Sequence, residues 1–158
     1  LVVKWLTYPT RQELPLLAEA AQASLKEIGI EVDINNTLDV NEVAQDASAW
    51  DVYAMANVQA PTGDPEYWFR VFALSDSAKN QGKYSNAQLD ALDEQLSQEF
   101  DTAKRADLAV QMQQILLDDN AFVFCSFLKM SMISRSNVSN YTSHACDYYQ
   151  ITADLDIE

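Results

Sequence analysis

The first 34 residues constrain the fold most, because they alternate between the patterns of a strand, a helix and a second strand. Val2 to Thr7 is rich in β-branched and aromatic residues, and Ile30 to Ile34 alternates apolar with acidic residues, so both predict strands. Between them, apolar residues recur as on one face of a helix: Leu14, Leu17, Ala18, Ala21, Leu25 and Ile28. Gly29 follows, which is typical of the position just past a helix end. Such units pair their strands in parallel through a right-handed crossover, so an α/β fold is expected.

The middle of the chain predicts three shorter elements before a polar loop over 79–83. They are a short helix over Val40–Ala47, a strand over Asp51–Val58 and an aromatic-rich helix over Glu66–Leu74. Pro61, Gly63 and Pro65 mark a loop between the last two. At 158 residues, the chain has the size of one domain.

Two further helices are predicted to pair with each other. Ser85-Asn86-Ala87-Gln88 matches the capping-box pattern that opens a helix, and Asp101 suits the N-cap of the next one. The inward stripe of the first helix is predicted to be Leu89, Leu92, Leu96 and Phe100. That of the second is predicted to be Leu108, Met112, Ile115 and Leu116.

The last 40 residues predict short strands in an otherwise irregular tail. The segments are Ala121–Leu128, Met130–Ile133 and, as a final strand, Tyr148–Ile151. Cys125 falls within the first of them, which favours a small buried apolar residue over a reactive thiol. Cys125 and Cys146 are not spaced as C-x-x-C, so the pair leaves both the disulfide state and the compartment open.

The composition excludes several classes of function. With 24 acidic against 10 basic residues and a net charge of −14, the surface repels nucleic acid and anionic membranes. No apolar run approaches the roughly 20 residues of a membrane span. The three glycines form neither a dinucleotide-binding nor a P-loop motif, and the single histidine, His144, has no G-x-S-x-G nucleophile elbow. An α/β hydrolase is therefore the least favoured class, and the chain is not expected to be an enzyme.

Five segments in order resemble the family 5 extracellular solute-binding proteins, the oligopeptide, dipeptide and nickel class that serves ABC importers. The first is Arg11–Pro15 with its helix and Leu25–Val32, and the others are Trp50–Val52, Gly63–Pro65, Tyr84–Asp90 and Arg105–Asp119. The resemblance implies a periplasmic-binding-protein-like lobe of type II, with a mixed sheet flanked by helices. It identifies residues 1–158 as the C-terminal ligand-binding lobe, excised from a larger two-lobe protein whose second lobe is missing. It also implies an extracytoplasmic location and an ABC transporter permease as partner.

The same resemblance favours the nickel branch over the peptide branch. Peptide-binding members carry an aspartate that pairs with the peptide's amino terminus, and Pro61 lies about where that residue would fall. In some nickel-type members a late histidine completes the coordination of a chelated metal, which makes His144 the candidate metal ligand, with a structural or merely exposed histidine as an equal alternative. One protein ligand holds a bare ion weakly, so the expected cargo is a metal–chelate complex and no resident cofactor is implied. Ala145-Cys146 departs from the expected proline after the histidine.

The remaining candidate ligand-binding residues follow from the rule that ligands of open α/β sheets lie beyond the carboxyl ends of the strands. Tyr8 and Arg11 follow the first predicted strand, and Asn57 and Thr62 end or follow the third. Arg11 is suited to pairing with a chelator's carboxylates, although a salt bridge on the first turn of its helix is an equal alternative. Trp68 is a candidate wall of the cleft, with packing in the core as its alternative.

Overall fold

The computed structural model describes residues 1–129, 131–144 and 151–157, and these form an α/β fold. The strands are β1 (Val2–Thr7), β2 (Glu31–Asn36), β3 (Val52–Tyr53), β4 (Val138–Ser139) and β5 (Asp156–Ile157). The helices are α1 (Glu13–Lys26), α2 (Val40–Val43), α3 (Glu66–Trp68), α4 (Ala87–Leu96) and α5 (Thr102–Asp118). α3 continues into a π-helical turn over Phe69–Ala73. Among the described residues, no helix combines the length and apolarity needed to cross a bilayer.

A parallel sheet in the order β2-β1-β3 confirms the β-α-β prediction. β1 pairs with β2 in parallel from Val2 opposite Glu31 to Thr7 opposite Asn36. α1 ends near Gly29, whose φ of +80° is a left-handed conformation that glycine adopts without strain. β3 is much shorter than predicted, because β1 ends at Thr7 and no strand among the described residues pairs with the chain beyond Ala54.

Both strand directions occur, but in separate sheets. β4 and β5 form an antiparallel ribbon in which Val138 lies opposite Ile157. The sequence pattern missed both strands, since two residues each are too few for a recognisable alternation. Of the predicted final strand, residues 148–150 lie outside the described residues, and Ile151 is exposed and belongs to no strand.

The core consists of two clusters of buried side chains. The larger one joins α4, α5 and the π-helical turn, and includes Leu89, Leu96, Met112 and Leu116 as predicted. The smaller one packs Leu6 of β1 against α2. Phe100 was expected inside but is 90% exposed, because it follows the end of α4 in the turn before α5. Ile28 is exposed for the same reason, since α1 ends two residues earlier.

Of the two N-caps predicted from the sequence, one is found in the structure and the other is shifted by one residue. The Asp101 side chain accepts a hydrogen bond from the Lys104 N–H at 3.0 Å, as predicted for an N-cap. For α4 the cap is Asn86 and not Ser85, because the Asn86 side-chain oxygen accepts from the N–H groups of Gln88 and Leu89. The Ser85 hydroxyl instead lies 2.9 Å from that of Ser75.

The strands predicted over Ala121–Leu128 and Met130–Ile133 are wrong for the described part of the chain. Residues 121–129 and 131–133 belong to no strand, and Cys125 is exposed and not buried. A strand needs a neighbour that accepts its N–H groups and donates to its carbonyls, and the described residues supply none beside this segment. Met130 itself lies outside the described residues.

Candidate functional site

A cavity of about 380 Å³ lies at the carboxyl ends of β1 and β3. Tyr8 and Arg11 reach it from the loop after β1, and Asn57 reaches it from the loop after β3. Three of the residues predicted from the strand order thus come together at one site. The parallel sheet explains this, since it places the carboxyl ends of neighbouring strands at the same edge.

The floor of the cavity is held by hydrogen bonds between the segments that leave the sheet. The Tyr8 hydroxyl accepts a hydrogen bond from the Ala56 N–H at 3.2 Å, which ties the exit of β1 to the loop after β3. The Thr7 carbonyl accepts one from the Thr37 N–H at 3.1 Å. Burial, and secondarily the nearby Tyr8, raises the pKa of Tyr53, so that its phenol stays protonated.

The charge of the cavity is opposite to that of the chain. Arg11 and Lys79 line it, whereas no described lining residue is an aspartate or a glutamate. The Lys79 Nζ lies 5.7 Å from the centroid of the Phe72 ring, which also lines the cavity. The alternative for Arg11, a salt bridge on the first turn of its helix, is not found among the described residues. In the part of the chain that the structure describes, neither cation pairs with a carboxylate, so the lining of the cavity is positively charged.

Lys79 was missed by the sequence analysis, which had assigned its surroundings to a polar loop. The loop is held by Asn80, a buried residue only 6% exposed. Its side-chain N–H group donates to the carbonyls of Leu74 and Tyr84, at 3.0 and 2.7 Å, and its oxygen accepts from the Tyr84 N–H. These three hydrogen bonds fix the backbone on one side of Lys79. The sequence feature that could have pointed to Lys79 is its positive charge, since the chain has only ten Lys and Arg residues.

Thr62, Trp68 and His144 lie elsewhere than at this cavity. Trp68 packs against Phe69, Phe72, Phe122 and Phe124, with ring centroids 5.1 to 5.9 Å apart. Thr62 is exposed in the turn closed by the hydrogen bond from Gly63 N–H to Ala60 carbonyl. Their predicted roles in ligand binding stay predictions.

His144 is exposed and directly precedes residues 145–150, which lie outside the described residues. Within the described ranges, no three His, Cys, Asp or Glu side chains are grouped so as to hold a metal ion. Those ranges therefore contain no metal site made of three or more such side chains. The role of His144 as a ligand of a chelated metal stays a prediction.

Arg105 of α5 holds the far end of the loop that carries Asn57. Its guanidinium donates to both carboxylate oxygens of Asp64, at 2.8 and 2.7 Å, and to Glu66 at 2.8 Å. It also donates to the carbonyls of Leu96 and Glu99 at the end of α4. The hydrogen bonds from Arg105 hold the pKa of Asp64 below its usual range, so the pair stays charged. The loop after β3 is thereby fastened to the α4–α5 hairpin.

Comparisons with known proteins point to one class. No family model matches the chain. The nickel-binding protein NikA of Staphylococcus aureus is 30% identical over 141 residues, which cover 89% of this chain and 29% of that protein. The crystal structure of S. aureus NikA in complex with Ni(L-His)2 superposes with a TM-score of 0.80 and 27% identity, over 100% of this chain and 34% of that one.

Two further structures extend the similarity. A nickel ABC transporter protein of Bacillus halodurans matches with a TM-score of 0.78 and 28% identity, over 99% of this chain and 33% of that one. The oligopeptide-binding protein AppA of Bacillus subtilis, in complex with a nonapeptide, matches with a TM-score of 0.64, 21% identity and coverage of 75% and 24%, which shows the fold alone. The chain thus spans about a quarter to a third of the length of these relatives. It is homologous to part of the staphylococcal nickel-binding protein, and its fold is that of part of a family 5 solute-binding protein.

Proposed function

We propose that residues 1–158 are the C-terminal lobe of the substrate-binding component of an ABC importer. The similarity to nickel-binding proteins supports this role, and so does a cavity at the carboxyl ends of the strands. The lobe closes with a second lobe over a small ligand, as in hinged binding proteins. The complex works outside the cytoplasm, delivers the ligand to the membrane permease and catalyses no reaction.

We further propose that the ligand is nickel held by a carboxylate-bearing chelator. The observation that carries this proposal is the pairing of Arg11 with Lys79 in a cavity whose described lining holds no carboxylate. Arg11 and Lys79 bind the chelator's carboxylates, while the Asn57 amide donates a hydrogen bond. His144 completes the coordination of the metal, which is cargo and not a resident cofactor.

A peptide is the alternative ligand, and the same cavity tells the two apart. The two cations also suit the carboxyl terminus of a peptide. The amino terminus needs an acidic partner in a desolvated cleft, and no described residue of the cavity lining provides one. Pro61 stands about where peptide-binding members place that aspartate. The charge balance of the lining therefore favours a ligand with negative groups and no free ammonium.

Calorimetric titration of the full-length protein tests both proposals. Nickel is added alone and with excess L-histidine, and a mixture of dipeptides is titrated separately. Tight binding only of nickel with chelator is expected. Arg11→Gln and Lys79→Gln should each weaken it about tenfold or more, since each removes one charge-assisted hydrogen bond. His144→Ala should weaken it as well.

Lys26→Gln serves as the matched control, because Lys26 is exposed in the last turn of α1, at the opposite end of that helix from Arg11. Its affinity should equal that of the wild type. Binding of dipeptides without nickel would overturn the metal–chelate assignment and leave the transport role intact. Binding of none of these ligands would contradict the transport role for this ligand class.

A further inference from the structure

The loop that carries Lys79 is fastened to the π-helical turn over Phe69–Ala73. The last carbonyls of a helix have no partner within it, and the loop supplies donors to two of them. The Ser77 hydroxyl donates to the Arg70 carbonyl at 2.7 Å. The Lys79 N–H donates to the Val71 carbonyl at 3.3 Å. The backbone of Lys79 is therefore held against the turn by the protein itself, before any ligand binds.

Phe72 lies on the same turn and is itself held by packing. It is only 4% exposed, and its ring centroid lies 5.9 Å from that of Trp68. The ring also lines the cavity, with the Lys79 Nζ 5.7 Å from its centroid. A cation within about 6 Å of an aromatic centroid is attracted to the negative face of the ring. The buried ring thus gives the exposed lysine side chain a preferred position at the cavity.

An aromatic ring suits this task better than a carboxylate. A carboxylate would accept hydrogen bonds from the ammonium and so compete with a negatively charged ligand, whereas a ring attracts the charge and leaves the three N–H donors available. Among the residues that the structure describes, no carboxylate pairs with Lys79. The contact with Phe72 also lessens the conformational freedom that the lysine side chain loses on binding, and a smaller loss favours affinity.

We infer that Phe72 is a positioning residue for ligand binding, whose ring holds the Lys79 ammonium at the cavity before the ligand arrives. The inference rests on the proposed function, in which Lys79 binds a carboxylate of the chelator. Phe72 itself acts through the lysine and forms no hydrogen bond with the ligand.

Titration of the full-length protein with nickel and excess L-histidine tests the inference. Phe72→Leu keeps an apolar side chain but removes the ring, and should weaken binding about threefold or more. Phe72→Tyr keeps the ring and should bind within about twofold of the wild type. In the Lys79→Gln background, Phe72→Leu should have no further effect, because the ring then has no ammonium to hold.

Phe69→Leu is the matched control, because Phe69 lies on the same turn and is 2% exposed but is not among the residues that line the cavity. It should leave the affinity unchanged. An equal loss from Phe72→Leu with and without the Lys79 ammonium would overturn the inference, because it would show a purely structural role for the ring.

A second measurement needs no ligand. In NMR spectra of the full-length protein with ¹³C-labelled lysine, the methylene protons next to the Lys79 ammonium should be shifted upfield by the ring, and Lys79→Gln assigns the signal. The shift should disappear in Phe72→Leu and remain in Phe69→Leu. Absence of the shift in a protein that binds the nickel–histidine complex would overturn the inference and spare the proposed function. A shift lost only in Phe72→Leu, in a protein that binds none of the tested ligands, would support the contact and count against the proposed function.

Discussion

Arg105 joins three segments that are distant in the sequence. Its guanidinium binds Asp64 and Glu66 in one segment and the carbonyls of Leu96 and Glu99 in another, while its own backbone belongs to α5. Arginine suits this place because its planar fork offers several donors in a fixed geometry. Its side chain is only 17% exposed, so these contacts are better shielded from water than those of a surface pair.

Replacing Arg105 with methionine should lower the free energy of unfolding by about 2–3 kcal/mol, because it removes the charge-assisted hydrogen bonds that the guanidinium donates to two carboxylates and two carbonyls. Chemical denaturation followed by circular dichroism measures the change. Lys104→Met is the matched control, because Lys104 is 69% exposed and reaches only Glu99, at 3.8 Å. That variant should change stability by less than about 1 kcal/mol. Equal losses in the two variants would show that Arg105 is not the fastening residue.

At the scale of elements, the α4–α5 hairpin is held by polar contacts at its open end as well as by its core. Asp119, just after α5, accepts hydrogen bonds from the Tyr84 hydroxyl at 2.6 Å and from the Asn86 side chain at 2.8 Å. Burial, together with the hydrogen bond to Asp119, raises the pKa of Tyr84 to about 12. Asn86 therefore caps α4 and also ties its first turn to the end of α5.

Asn86→Ala should lower the free energy of unfolding by about 1–2 kcal/mol, because it removes the N-cap of α4 and a donor to Asp119. Ser85→Ala tests the alternative cap that the sequence pattern indicated, and should cost less, since the Ser85 hydroxyl contacts only an exposed serine. Thermal and denaturant unfolding of both variants measure the difference. A larger loss for Ser85→Ala would identify Ser85 as the effective cap.

At the scale of the whole molecule, the excess of acidic residues is the main electrostatic feature. A net charge of −14 on 158 residues opposes the compact state through self-repulsion. Arg11 and Lys79 line the cavity of a protein that is otherwise negatively charged, so the electrostatic potential of the cavity differs from that of the remaining surface. At 0.1 M salt the Debye length is about 10 Å, so repulsion between surface charges farther apart than this is largely screened.

The melting temperature at neutral pH should therefore rise by a few degrees when potassium chloride is increased from about 10 to about 300 mM. Differential scanning calorimetry measures the shift. Near the sequence pI of about 4.2 the net charge is close to zero, so the same change in salt should have little effect. A melting temperature that falls with salt at neutral pH would mean that attractive ion pairs, such as those of Arg105, outweigh the repulsion.

Local patterns in the sequence determined the elements with strong periodicity. The β-α-β unit, the α4–α5 pair and the Asp101 cap are confirmed, because strand alternation, helical stripes and capping act between residues a few positions apart. The rule for strand ends also predicted that Tyr8, Arg11 and Asn57 would meet. Errors fell where an element ended, as at Phe100, or where a strand needed a distant partner, as after Ala121.

Only the tertiary structure decided which separate loops share the site. Lys79 lies in a loop more than 65 residues after Arg11, and no local sequence pattern predicts that the two side chains line the same cavity. Trp68 was a candidate for the cleft but packs in an aromatic cluster, because the π-helical turn and the segment after α5 meet around it. Periodicity acts between residues that are close in the sequence, whereas the convergence of loops depends on how the whole chain packs. The sequence by itself therefore determined the helices and strands, and the tertiary structure determined the charge of the site.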